Sequence, residues 1–145
     1  MNEDLKELFK SLKSQNVKFI VIGAHALAFH GRPRMTQDVD LWVDPSPENA
    51  KRLAAALEAF GAPIGEEGIS RFSAPGRQLI RLGVPPNMVD ILNFAGQRPF
   101  AEVSARGQVG DLDGEELMFP SKDDLIEMKK EASRPQDLVD IENLK

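Results

Sequence analysis

Apolar residues recur along this chain with two different periods, and the switches between them divide it into elements. From Asp4 onward, Leu5, Leu8, Phe9 and Leu12 fall at helical spacing with Lys and Glu between them, predicting an amphipathic helix that ends near Gln15 and Asn16. Residues 17–22 are dense in β-branched and aromatic side chains and stop at Gly23, so they predict a buried strand. A short helix over 24–29, closed by Gly31, follows it. Residues 37–43 alternate polar with apolar and predict a second strand. Ser46 and Pro47 then supply a cap and a first helical residue, and Ala50, Leu53, Ala54, Leu57 and Phe60 form the inward stripe of a helix ending at Gly61.

Between 62 and 68 the density of Pro and Gly predicts a loop, after which 69–74, 78–82 and 88–93 predict three strands of a meander. Residues 100–105 predict a short helix, and 108–112 with 115–119 a hairpin across Asp113 and Gly114. Ser121 and Asp124 have capping-box spacing and open a helix through about Ala132, while Pro135 can begin a last helix ending at Leu144. No repeat, linker or low-complexity tract interrupts the pattern.

The chain is 145 residues long, which suits one domain over 1–145, and 41% apolar residues supply an ordinary core. Its net charge of −5 argues against coating nucleic acid with the whole surface, so a polyanion would have to meet a local basic patch. Zero cysteines exclude disulfide scaffolds, thiolate zinc sites and cysteine nucleophiles, and suit a reducing compartment; the cytoplasm is the expected location. The N-terminus is acidic and the apolar run 19–22 is far too short to cross a bilayer, so no membrane association is expected.

The chemistry lies in three aspartates. Asp38 and Asp40 sit two apart among Val39, Leu41 and Val43, so a period of two sends both carboxylates to one face and the aliphatic residues to the other. Their Cα atoms would stand roughly 7 Å apart, close enough to share one or two hard cations, although the solvent face of an edge strand would give the same pattern. Asp90 is enclosed by Val89 and Ile91, where a carboxylate costs several kcal/mol unless paired or bound to metal. It needs a cation, a nearby Arg or an exposed face.

Upstream, Gly23 and Ala24 mark a strand-to-helix turn where small residues let a phosphate approach backbone N–H groups, and close helix packing explains them equally well. Thr36 lies on the same side of the chain as Asp38, and Arg32 and Arg34 bring positive charge near it or simply solvate a loop. His25 and His30 are five apart and share no helical face, which rejects a zinc pair.

Together, Gly23-Ala24, His30-Gly31-x-x-Arg34-x-Thr36-x-Asp38-x-Asp40 and the later Asp90 resemble the DNA polymerase beta-like nucleotidyltransferase superfamily, and above all its minimal AbiEii-like branch associated with bacterial toxin–antitoxin systems. The tail, Leu125-Ile126-x-x-Lys129-x-x-x-x-Arg134-x-x-Asp137-Leu138-x-Asp140-Ile141-x-x-Leu144, is similar to the closing helical motif of that branch. The resemblance implies an α+β fold, a mixed β-sheet flanked by helices. It also implies that Asp38, Asp40 and Asp90 hold Mg²⁺ or Mn²⁺ with the triphosphate of an NTP, Asp90 helping to activate the attacking hydroxyl. Lys129 would contact phosphate and Asp137 orient it, with Gly23, Ala24, Arg34, Thr36 and Arg134 on the nucleotide. Independently, Lys129 shares a helical face with Leu125 and Ala132, where a lysine wants an anion or snorkels past the core edge. An ion pair between the last two helices would equally explain Arg134 and Asp137.

The expected activity is transfer of a nucleoside monophosphate from an NTP to a hydroxyl of RNA or protein, alongside a toxin or antitoxin partner. Such chemistry needs charge neutralisation and in-line positioning more than a covalent intermediate, and shared carboxylates with hard cations suit it. One departure is informative. Ala24 stands where the superfamily usually has Gly or Ser, and this motivates the alternative of a weak or inactive module that binds nucleotide or a partner protein.

Overall fold

The computed structural model describes residues 3–31, 38–84, 87–132, 141, 142 and 144. Helix α1 (Glu3–Ser14) buries Leu5, Leu8, Phe9 and Leu12, the stripe its periodicity predicts. Strand β1 (Phe19–Ile22) leads through Gly23 into α2 (Ala24–Phe29), and β2 (Val39–Val43) leads into α3 (Pro47–Phe60), whose first turn is capped by the Ser46 side chain accepting from the Asn49 N–H. Next come α4 (Gly65–Ser73), β3 (Leu79–Leu82) and β4 (Val89–Leu92). The described elements close with α5 (Phe100–Ala105), the hairpin β5 (Gln108–Leu112) and β6 (Glu115–Phe119), and α6 (Lys122–Ala132). The helix expected from Pro135 lies almost wholly outside the described residues.

Two adjoining expectations fail, since the loop expected over 62–68 gives way to helix from Gly65 onward. The predicted strand over 69–74 is the second half of α4. Phe72 is buried while Ser70 and Arg71 are exposed, and Glu66 and Glu67 at its start with Arg71 at its end match the helix dipole. The meander therefore reduces to an antiparallel pair, β3 with β4.

The main sheet has the order β1-β2-β4-β3, with β2 parallel to β4 and both outer pairs antiparallel, so it is mixed, as expected. Alternation along the strands assigns their faces. Val21, Val39, Leu41, Val43, Val89 and Ile91 enter the main core with the stripes of α1 and α3 and Phe72 of α4. The opposite face carries a smaller apolar cluster of Ile20, Ile22 and Trp42 with Ala95, Phe100 and Val103, in which the Trp42 and Phe100 rings meet edge to face at 5.2 Å. Asp40 and Asp90 belong by alternation to this second face. The hairpin β5–β6 lies against β1, and stacking of Phe29 on Phe119 at 4.5 Å ties it to α2.

Candidate active site

Strand β2 is interior, between β1 and β4, so Asp40 does not sit on an edge strand. Its Cα is in register with Ile22 on one side and with Asp90 on the other. Parallel pairing thus brings the second and third of the sequence-predicted carboxylates side by side, about 4.8 Å apart at strand spacing. Gly23 closes β1 directly beside them. Its φ of 71° lies in the left-handed region, and a Cβ there would collide with the Asp40 carboxylate, whose Cγ is only 3.1 Å from the position it would take. Glycine is required twice over at this turn, by its backbone and by its neighbour.

These residues line a cleft of about 290 Å³ with Leu92, Phe94, Ala95 and Gly96 from the segment after β4, and with Leu125, Met128 and Lys129 from α6. Of the residues singled out in the sequence, the cleft gathers Gly23, Asp40, Asp90 and Lys129. Asp38 stands just before β2 and outside the lining, where its Oδ1 accepts from the Met88 N–H at 2.8 Å and so fixes the entry of β2 against the start of β4. Ala24 is likewise not in the lining. Arg34, Thr36, Arg134 and Asp137 lie outside the described residues.

Two sets of groups around the cleft escaped the sequence reading as parts of the site. Asp90 is nearly buried, and both of its oxygens are engaged by Arg81 of β3, Nε to Oδ1 at 2.7 Å and Nη2 to Oδ2 at 3.1 Å. The nearby Arg left open as a partner for Asp90 is therefore Arg81, its cross-strand neighbour in the antiparallel register. That Arg81 alternates with the apolar Ile80 and Leu82 was the available signal.

The second set anchors α6. Asp124 is fully buried, where its Oδ1 accepts from Arg98 Nη1 at 2.7 Å and Arg106 Nη2 at 2.9 Å, and its Oδ2 from Arg106 Nε at 3.0 Å and the Ser121 hydroxyl at 2.8 Å. Burial pushes this carboxyl up, but the donors from Arg106, Arg98 and Ser121 outweigh it and hold its pKa at about 2. The Asp124 N–H also donates to Ser121 Oγ at 3.1 Å, completing the expected helix start. Lys129 is thereby presented from a helix whose first turn is clamped on both sides.

His25, two residues beyond Gly23, is pushed below the ordinary imidazole value chiefly by burial, against the upward pull of a hydrogen bond to the Asp38 backbone. His30 contributes elsewhere: its Nε2 lies 2.9 Å from the Pro120 carbonyl, joining α2 to the end of β6.

Among the described residues no three carboxylate or imidazole groups converge on a single ion position. Mg²⁺ commonly takes one or two carboxylates and completes its octahedron with water and substrate phosphate. The donor set is suitable: two hard carboxylates in register, one of them already holding a cation, Arg81.

No curated protein matches the chain by sequence. Among solved structures it is similar to the lincosamide antibiotic adenylyltransferase LnuA in its lincomycin-bound form, with a TM-score of 0.61 and 13% identity over 99% of this chain and 96% of that one. It is also similar to a putative nucleotidyltransferase from Thermotoga maritima, with a TM-score of 0.52 and 16% identity over 96% of this chain and 84% of that one. At these identities the likeness establishes the fold, which is that of the nucleotidyltransferases. Residues 6–144 match the family described as nucleotidyl transferase AbiEii toxin of type IV toxin–antitoxin systems. With nearly its whole length matched, the chain belongs to the AbiEii nucleotidyltransferase toxin family.

Proposed function

We propose that the cleft binds an NTP through its triphosphate together with Mg²⁺ or Mn²⁺, and that the protein transfers the nucleoside monophosphate to a hydroxyl of RNA or protein within a toxin–antitoxin pair in the cytoplasm. The observation that carries this reading is the register of Asp40 with Asp90 beside Gly23, in a cleft that Lys129 also lines. When bound, the divalent cation neutralises charge on the phosphates and on the leaving pyrophosphate. Asp40 and Asp90 would hold it, with Asp38 behind them fixing the strand entry through its bond from the Met88 N–H.

In the transfer, the acceptor oxygen bonds to the α-phosphorus as the bond to the bridging oxygen breaks, and pyrophosphate departs. Asp90 takes up the proton of the attacking hydroxyl as the new bond forms, and Lys129 places its positive charge on phosphate. Gly23 leaves room for the Asp40 carboxylate beside the backbone, and Ala24 keeps the turn small without supplying a hydroxyl. Arg34, Thr36 and Arg134 complete the nucleotide contacts, and Asp137 orients Lys129, in this reading. No described helix is long and apolar enough to cross a membrane.

The extent of the likeness to LnuA, nearly complete on both chains, favours a second acceptor class, the hydroxyl of a small molecule. Titration calorimetry with each of the four NTPs, with and without Mg²⁺, beside Asp40→Asn tests the nucleotide half. Metal-dependent binding that the variant loses is expected, and absence of any binding by the wild type would refute it. Incubation of labelled NTP with RNA, protein and small-molecule alcohol pools then separates the acceptor classes.

A further inference from the structure

Strand β3 is an edge of the sheet, and Arg81 stands on it directly across from Asp90. The guanidinium lies fork to fork with the carboxylate, Nε on Oδ1 at 2.7 Å and Nη2 on Oδ2 at 3.1 Å, so every oxygen that Asp90 could offer a metal already has a donor. The two partners differ in exposure. The Arg81 side chain is 55% exposed and that of Asp90 only 11%, so the carboxylate is fixed in the sheet while the guanidinium can leave into water.

The surroundings explain why a cation rests there. Asp90 has Asp40 in register on β2, and two carboxylates side by side in a partly buried site repel unless something positive lies between or upon them. The guanidinium rests on Asp90 with Asp40 in register beside it, against the carboxylates a divalent cation would meet.

We propose that Arg81 is a resident counter-ion of the site: it satisfies Asp90 in the metal-free protein, competes with the divalent cation for the same two oxygens, and must swing out for the cation to enter. This rests on the reading of the cleft as the metal and triphosphate site. It makes Arg81 a positioning residue that sets metal affinity from outside the carboxylate set. Because its fork is partly exposed, the competition is modest, and removing it should raise metal affinity about tenfold.

The test is Mn²⁺ titration of the full chain without nucleotide, followed by the electron paramagnetic resonance signal of free Mn²⁺, for wild type, Arg81→Ala, Arg81→Met, Arg81→Lys and Asp90→Asn. Arg81→Met keeps the aliphatic stem on the edge strand and guards against a folding defect of the alanine variant. Tighter binding by both uncharged variants, an intermediate value for lysine, which lacks the fork, and loss of binding in Asp90→Asn are the expected results. Equal or weaker binding by Arg81→Ala and Arg81→Met, with Mn²⁺ bound by wild type, overturns the counter-ion role and leaves the metal site standing. Failure of every variant and of wild type to bind Mn²⁺ overturns the site reading and this inference together.

Discussion

Asp40 and Asp90 are Cα partners on the two interior strands of the sheet, in the only parallel pairing that the described strands make. A parallel pairing sets residues at the same height with side chains on the same face, so the two carboxylates approach one position from neighbouring strands without depending on a flexible loop. Asp40→Asn and Asp90→Asn should each reduce nucleotidyl transfer by at least about 100-fold, because each removes charge from the point where cation and phosphate meet. Stability should change little, within about 1 kcal/mol for Asp90→Asn, since the Arg81 left behind is largely solvated. Pyrophosphate release beside urea midpoints measures both, and wild-type turnover by either variant would remove the pair from the mechanism.

Gly23 couples backbone strain to the site, and a second glycine separates the two effects. Gly31 also has a left-handed φ, +86°, but open space where a Cβ would stand, whereas at Gly23 the Cβ meets the Asp40 carboxylate. Both Gly23→Ala and Gly31→Ala should lose roughly 1–3 kcal/mol from strain at positive φ. Only Gly23→Ala should also displace Asp40 and weaken Mg²⁺-dependent NTP binding. Parallel calorimetry and thermal melts decide it; equal nucleotide affinity in the two variants would show that Gly23 is there for the turn alone.

Much of the architecture was readable because the sheet is built from strongly patterned segments. The stripe of α1, the Ser46-Pro47 start of α3, the Asp113-Gly114 hairpin and the Ser121 cap of α6 each follow from local chemistry that tertiary context did not overrule. Helix α4 did not, because Ile69 and Phe72, three apart on a helical face, are too few to set a period, and Gly65 and Gly68 suggested a loop that would cut the helix short. Of the site, Asp40, Asp90, Gly23 and Lys129 were legible as residue types in sequence. Their meeting was not, since it depends on a β2–β4 register between segments 50 residues apart, and the ion pairs of Arg81 with Asp90 and of Arg98 and Arg106 with Asp124, 9, 26 and 18 residues apart, depend on strand and helix placements that no local pattern announces.

Asn49 shows how the core holds the strands that carry the site. It is fully buried at the start of α3, where its Oδ1 accepts from the Lys18 N–H at 2.8 Å and its Nδ2 donates to the carbonyls of Lys18 at 3.1 Å and Asp44 at 2.8 Å. One side chain thus satisfies backbone groups entering β1 and leaving β2. Asn49→Ala should destabilise the fold by about 2–4 kcal/mol through unpaired buried backbone groups. Denaturant titration gives the loss, while nucleotide affinity of the folded variant at low temperature should stay at the wild-type value. A stability change below ~1 kcal/mol would mean that water replaces the amide.

Acid should destabilise the protein in two stages with different owners. The His25 imidazole is held below its ordinary value of 6.5 by burial, and its buried Nε2 has no hydrogen-bond partner, so the unfolded chain takes up this proton first. Its contribution is complete above pH 6.5 and is lost as pH falls through the lower folded value. Asp124 falls from 3.8 to about 2, so its contribution is complete above pH 3.8 and is lost as pH drops toward 2. That shift corresponds to about 2 kcal/mol. Asp124→Asn should cost roughly 3 kcal/mol at neutral pH, because Arg98 and Arg106 lose their shared partner, and should flatten the lower limb only. His25→Gln should flatten the upper limb only. Unfolding free energies measured from pH 2 to 8 for the three proteins test the assignment; an unchanged lower limb in Asp124→Asn would place the acid sensitivity in another carboxylate.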